Sequence, residues 1–101
     1  MAISDVQLKG SWYAVFDDDG KKIKELSCSN VGEFCGHGTD IMVFKKGSWF
    51  GAYDATGKKL KEFAEPVGDF RGVSGRTIIF QKGNWIDTYD LSGKKLNSRP
   101  A

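Results

Sequence analysis

The sequence lacks the features of a membrane or secreted protein. No apolar run approaches the roughly 20 residues that a membrane-spanning helix needs. The N-terminal residues 1–8 have no basic cluster, apolar core or small-residue cleavage site, so we expect no signal peptide. Without these features the default compartment is the cytoplasm, where the 2 cysteines would stay reduced.

Helical periodicity and an excess of one charge are also missing. No segment of ten residues shows the apolar spacing of an amphipathic helix, which favours an all-β class. The chain has 2 prolines but 13 glycines, which is typical of many tight turns. Its 15 basic and 13 acidic residues give a net charge of +2, too balanced to indicate a nucleic-acid partner. We predict a single all-β domain over residues 1–101.

What the chain does contain is one segment in three copies. Trp12, Trp49 and Trp85 lie 37 and 36 residues apart, and each follows a Lys-Gly pair by two residues. An Asp-x-x-Gly-Lys-Lys turn follows every tryptophan. A fixed period of this length is typical of proteins built from stacked supersecondary units. We assign three repeats of about 36 residues, at about 2–27, 28–63 and 64–99.

Each full repeat reads as a four-stranded antiparallel meander. Its order is an inner strand (30–36 and 66–72), an apolar strand (39–44 and 76–80), a Trp strand and a Lys-rich strand. The first repeat starts with an alternating strand at residues 2–8 and has no inner strand. Lysine discourages an exposed edge from pairing with other chains, so the Lys-rich strand is placed outermost.

The segment from Ile41 to Leu60 resembles a blade of the quinoprotein-type β-propellers. The resemblance lies in an apolar strand, a Gly-containing turn, an aromatic-Asp strand and a Thr-Gly-Lys turn, in that order. The segment is also similar to bacterial WG repeats, whose Trp strand ends in an Asp-x-x-Gly-Lys turn. No Trp follows the Gly-Lys turn as in the quinoprotein pattern, and no quinone chemistry is implied. The resemblance implies propeller-like stacking of the sheets.

Three blades are too few for a propeller, which has about four to eight. We therefore predict a homodimer with six blades, in which residues 2–8 or 94–99 close the ring between chains. The alternative is a pseudo-threefold body, either a β-trefoil or a β-prism. A trefoil generally needs longer repeats, and the sugar-binding motif of the lectin-type prism is absent.

A cluster of Cys28, Cys35, His37 and Asp40 raises the question of a metal or a catalytic thiol. It offers only one loose cysteine pair, whereas structural zinc sites usually join two close pairs of ligands. We favour two separate thiols, with Cys35 buried and Cys28 partly so, over a disulfide or a zinc site. The Cys35 and His37 pair lacks a third catalytic group. We expect no metal, no cofactor and no enzymatic activity.

The tryptophans and one carboxylate are the main candidates for ligand binding. Trp12, Trp49 and Trp85 would either stack on a ligand or pack between sheets, and we favour packing because large aromatics at repeat positions are mostly core. Asp87 replaces a small residue of the other copies and should share a strand face with Trp85 and Tyr89. There it lies either at an exposed edge or in a buried site that needs a partner.

Each of the three Gly-Lys turns also contains a pair of lysines. The Lys pairs at 21–22, 58–59 and 94–95 would form a basic rim, although solvated turns are the favoured interpretation.

We predict a non-enzymatic module for self-assembly and for binding a ligand or protein; the alternative is a lectin-like carbohydrate-binding protein. The candidate ligand-binding residues are Trp12, Trp49, Trp85, Asp87, Glu33, Asp69 and Arg71.

Overall fold

The computed structural model describes residues 2–101 and, apart from Glu65, their side chains. It contains three antiparallel sheets of three, four and four strands, which we name A, B and C in chain order. The strands are β1 (Asp5–Lys9), β2 (Trp12–Phe16) and β3 (Lys22–Ser27) in sheet A; β4 (Glu33–His37), β5 (Ile41–Lys46), β6 (Trp49–Asp54) and β7 (Lys59–Ala64) in sheet B; and β8 (Asp69–Ser74), β9 (Thr77–Lys82), β10 (Trp85–Tyr89) and β11 (Lys95–Pro100) in sheet C.

The all-β prediction is confirmed, and so is the strand order within the sheets. Sheets B and C run from the inner strand through the apolar and Trp strands to the Lys-rich strand, and sheet A lacks the inner strand. The first strand begins at Asp5, later than predicted. The segments predicted to close a ring, β1 and β11, pair with β2 and β10 of their own sheets.

The first residues of both predicted inner strands are wrong, because short helical turns occur there. The short helix α1 (Cys28–Val31) and a single 3-10 turn (Glu65–Val67) carry the chain from the outer strand of one sheet to the inner strand of the next. The inner strands therefore begin later than predicted. Gly32 and Gly68 follow these turns with φ of 91° and 123°, and a Cβ at either would collide with a backbone carbonyl. Each Val-Gly pair thus marks the turn before the strand. No helix in residues 2–101 is both long and apolar enough to cross a bilayer.

The Asp-x-x-Gly turns are held by their aspartates. In sheet B the Asp54 carboxylate accepts bonds from the Thr56 hydroxyl at 2.7 Å, the Thr56 N–H at 2.9 Å and the Lys58 N–H at 3.0 Å. Burial raises the pKa of Asp54, but these hydrogen bonds outweigh it and leave the pKa below the usual 3.8. The ionised group therefore stabilises the folded turn above about pH 4, and this contribution is lost as the pH falls.

Sheets A and B pack face to face around a core of aliphatic and aromatic residues. Alternate residues of a strand point to opposite faces, so Tyr13 of β2 meets Phe44 of β5 at a ring-centroid distance of 5.1 Å. The Tyr13 hydroxyl accepts a hydrogen bond from the Phe34 N–H at 3.0 Å, which satisfies its buried polar end. The buried members of this core are Ile3, Tyr13, Val15, Leu26, Val31, Met42, Phe44, Tyr53 and Ala55.

Sheets B and C repeat this packing around Phe80. The Phe80 ring lies 5.1 Å from Phe50, 5.6 Å from Phe63 and 5.8 Å from Tyr89. Sheet B is consequently covered on both faces, whereas sheets A and C share no core cluster among the described residues. A threefold closure as in a prism or trefoil is therefore not formed within this part of the chain.

One face of sheet A and one face of sheet C carry no other sheet among residues 2–101. The residues of these two faces can be identified because alternate residues of a strand point to opposite faces, and the residues between them lie in the two cores. The outward face of sheet A presents Asp5, Gln7, Trp12, Ala14 and Phe16, and that of sheet C presents Ile79, Gln81, Ile86, Thr88 and Arg99.

The inner strands of sheets B and C also touch, and a glycine permits this contact. A Cβ built on Gly36 would lie 2.9 Å from the ring of Phe70, whereas one built on Gly72 meets nothing within 4 Å. Both glycines lack a positive φ, so the difference between them is one of space alone.

Replacing these two glycines by alanine tests whether the sheets pack as described. We expect Gly36→Ala to lower the free energy of unfolding by about 1 kcal/mol, because the partly buried Phe70 ring, which packs against the core, must shift. The matched change Gly72→Ala should be neutral or slightly stabilising. Urea unfolding monitored by circular dichroism measures both, and equal effects would contradict the packing of β4 against β8.

Candidate functional site

The three tryptophans occupy matching places, one at the start of each middle strand. Trp12 pairs with Lys9 and Ser27, and the other two have the corresponding neighbours. Their exposed fractions are 50%, 50% and 52% in chain order. The favoured interpretation, packing between sheets, is therefore wrong. The cores are filled by residues further along the strands, and all three tryptophans lie beside the Lys-Gly turns.

Each Lys-rich strand directs one lysine towards a carboxylate on the Trp-bearing face. In sheet A, Lys22 Nζ lies 3.3 Å from Glu25 Oε2, and in sheet B, Lys59 Nζ lies 3.2 Å from Glu62 Oε2. All four side chains are about half exposed, so these pairs contribute little to stability. Their positions neutralise part of the basic rim that the lysine pairs would otherwise form.

Sheet C keeps the lysine but moves the carboxylate to the neighbouring strand. Ser98 stands where the other copies have glutamate, and Asp87 stands opposite it on β10, where they have Ala14 and Gly51. The Ser98 hydroxyl donates to Asp87 Oδ1 at 2.5 Å, and Lys95 Nζ lies 3.8 Å from Asp87 Oδ2. The loss of the glutamate at position 98 and the gain of the aspartate at position 87 together move one carboxylate from β11 to β10.

Asp87 is the only buried charged or polar residue among the side chains that the structure describes, with 3% of its surface exposed. It lies on the same face as Trp85. The sequence left two alternatives for Asp87, an exposed edge or a buried site with a partner, and the structure shows the second. A buried carboxylate is costly unless hydrogen bonds or a counter-charge compensate it. Ser98 and Lys95 provide both.

A cleft of 560 Å³ opens beside Asp87, lined by Lys82, Trp85, Asp87, Lys95 and Ser98. Its counterpart in sheet B measures 280 Å³. There Asn30 and Val31 of α1 form part of the wall, and Lys46 Nζ donates to the Asn30 carbonyl at 3.4 Å. The residue opposite Glu62 in that cleft is Gly51, which offers no polar side chain.

The remaining candidates from the sequence do not join Asp87. Asp87 lies directly opposite Phe80 and shares its face of the sheet. Gln81, the next residue on β9, lies on the other face, and Arg71 donates to Gln81 Oε1 at 2.7 Å. Arg71 is therefore on the other face of sheet C. Asp69 is exposed and lies in register with Gln81, while Glu33 is exposed at the start of β4 in sheet B.

The cysteines are separate free thiols, and neither is fully buried. Burial and the nearby charge of Glu33 raise the pKa of Cys35, which lowers its thiolate fraction at neutral pH. The expected full burial of Cys35 is wrong, since it lies half-buried beside the core between sheets B and C. Among residues 2–101, no three or more His, Cys, Asp or Glu side chains are arranged to hold a metal ion.

Comparisons with models of protein families, with curated proteins and with solved structures find no match to this chain. The candidate site therefore depends on its own geometry. Three of its residues, Lys82, Lys95 and Ser98, were missed from the sequence as site residues. The signal that would have revealed Ser98 is the loss of a glutamate in the one repeat that gains Asp87.

The paired change predicts a compensation that can be measured. Asp87→Ala should destabilise the fold by about 1 to 3 kcal/mol, because it removes the acceptor of Ser98 and the partner of Lys95. Adding Ser98→Glu should recover much of this loss by reproducing the arrangement of Ala14 and Glu25 in sheet A. Thermal unfolding of the single and double variants gives the coupling, and additive effects would contradict it.

Proposed function

We propose that this protein is a non-enzymatic module that self-associates through the outward faces of sheets A and C, giving a propeller-like dimer of six sheets. The supporting observation is the composition of the outward face of sheet C. Ile79, Ile86 and Thr88 stand at positions where sheet B places the buried core residues Val43, Phe50 and Ala52. This face has the pattern of a contact between sheets but lacks a covering sheet among residues 2–101. Ile86 is already buried within one chain, and Ile79 and Thr88 are the partly exposed residues that a second sheet would cover.

The outward face of sheet A offers the complementary positions. Within the chain, Phe63 packs on Phe80 and Tyr89, each at 5.6 Å. Arg99 stands at the position of Phe63, so the same stacking would place it on the outward face of sheet A in a second copy.

The residues of sheet A at these positions are Gln7 and Phe16, with Asp5 opposite Phe16 in register. A guanidinium between a carboxylate and an aromatic ring can form both an ion pair and a cation-π contact. This contact is more polar than the two cores, which suits an association that is reversible.

Head-to-tail contacts of this kind form a ring when the rotation closes and a filament when it does not. A two-fold ring uses the contact twice and leaves no sheet face uncovered, which favours the dimer. Both terminal strands can stay in their own sheets. We keep the cytoplasm as the proposed compartment, since the two cysteines are unpaired in the fold.

The mass in solution tests this proposal. Light scattering at micromolar concentration should give twice the 11.2 kDa of one chain. Thr88→Glu should shift the mass to that of one chain, because it places a charge in the contact. The control Ser48→Glu, in an exposed turn of sheet B, should leave the dimer intact. A wild-type monomer, or a Thr88→Glu variant that remains dimeric with an unchanged circular dichroism spectrum, would reject the proposal.

The half-exposed tryptophans favour a second candidate, a lectin-like carbohydrate-binding protein. Exposed indole faces beside polar groups suit ligands with both apolar and hydroxylated sides. The three tryptophans have equivalent neighbours, so this function would present up to three surfaces per chain. Self-association and sugar binding use different faces of sheet C, so they are compatible at Trp85, whereas Trp12 lies on the face of sheet A that the proposed dimer covers.

A further inference from the structure

We propose that the cleft at Trp85 and Asp87 binds a saccharide that carries a carboxylate group. This inference deepens the second candidate function and rests on it, not on self-association. The lining residues among the described side chains all belong to strands of sheet C, so one sheet of one chain provides them. The volume of 560 Å³ is within the usual range for small-molecule sites, about 300 to 1,000 Å³.

The arrangement of polar atoms favours a hydroxylated ligand. An ionised carboxylate has about four acceptor positions, and Asp87 uses one of them for the Ser98 hydroxyl. Its second oxygen is 3.8 Å from Lys95 Nζ, beyond a short hydrogen bond, so it keeps acceptor capacity. Asp87 lines the cleft with only 3% of its surface exposed, so a ligand hydroxyl reaches this oxygen when the half-exposed Lys95 side chain moves aside. Neighbouring sugar hydroxyls can donate to it, while the half-exposed Trp85 ring covers the apolar face of the sugar.

The charge of the cleft selects among the sugars. Lys82 and Lys95 contribute two positive charges and Asp87 one negative charge, which leaves a net charge of +1. Because Lys95 already faces Asp87, Lys82 is the group available to a ligand carboxylate. A cationic ligand would be repelled by the two ammonium groups, and a ligand with several phosphates would bring excess negative charge to the buried Asp87.

Only one of the three tryptophan positions has this construction. Sheets A and B have Ala14 and Gly51 in place of Asp87, and the cleft of sheet B has half the volume. We therefore expect one site per chain. The relocation of the carboxylate keeps a partner for Lys95 and at the same time adds an acceptor to the cleft.

Titration with sugars, followed through the indole N–H signals in nitrogen-15 NMR spectra, tests the proposal. The probes are disaccharides of galacturonic and glucuronic acid and their neutral counterparts, with signals assigned from single Trp→Phe variants. At least one acidic disaccharide should shift the Trp85 signal saturably and bind at least tenfold more tightly than its neutral counterpart. The signals of Trp12 and Trp49 should stay unchanged.

Two variants separate binding from folding. The double variant Asp87→Ala with Ser98→Glu retains a partner for Lys95 and should keep the circular dichroism spectrum while losing at least tenfold in affinity. Lys82→Ala should reduce the preference for acidic over neutral sugars. Equal binding by the double variant, or no response of Trp85 to either acidic disaccharide, would overturn the proposal.

The outcomes also distinguish this inference from the two candidate functions. A response of Trp12 and Trp49 without Trp85 would support a lectin-like function and reject this site. Silence of all three signals would reject the site and count against the lectin-like function. The expected shifts are the same for a monomer and a dimer, because the cleft lies on the face of sheet C opposite to the proposed contact.

Discussion

The burial of one phenylalanine from each apolar strand, Phe44 and Phe80, is the interaction on which the arrangement of sheets depends. Both rings are fully buried, and each contacts aromatic residues of two sheets. Burying such a side chain contributes about 1.5 to 3 kcal/mol, a large share of the stability of a 101-residue chain. Sheet A has Gln7 at the same position, so its outward face cannot form a third core of this kind.

The three repeats keep their turns and cores but differ where the sheets meet solvent. The aspartates that hold the Asp-x-x-Gly turns are present in all three, because each turn needs the same acceptor. Asp87 and Ser98, in contrast, change together in sheet C. In sheet C the moved carboxylate still has partners, since Ser98 donates to it and Lys95 lies beside it. Such a difference between copies is where a site is most readily formed.

The sequence was sufficient to predict the class, the strand order and the missing inner strand, because apolar runs and Gly-Lys turns report on local structure. The sequence was insufficient to predict how exposed each side chain is. The tryptophans look like core residues by size, but each is about half exposed, because the cores are filled by residues further along the strands. The partners of Asp87 lie eight and eleven residues away on β11, so their contact depends on register. The short helical turns were not predicted because segments of three or four residues are too short to show helical periodicity.

Amide hydrogen exchange at high dilution tests most directly whether the stacking of sheet faces holds this fold together. Sheet B is the only sheet covered on both faces among the described residues. The slowest exchange should therefore occur in β5 and β6, with β2 and β10 faster. Equal protection of the three sheets in the dilute protein, or the slowest exchange in sheet A, would contradict this account.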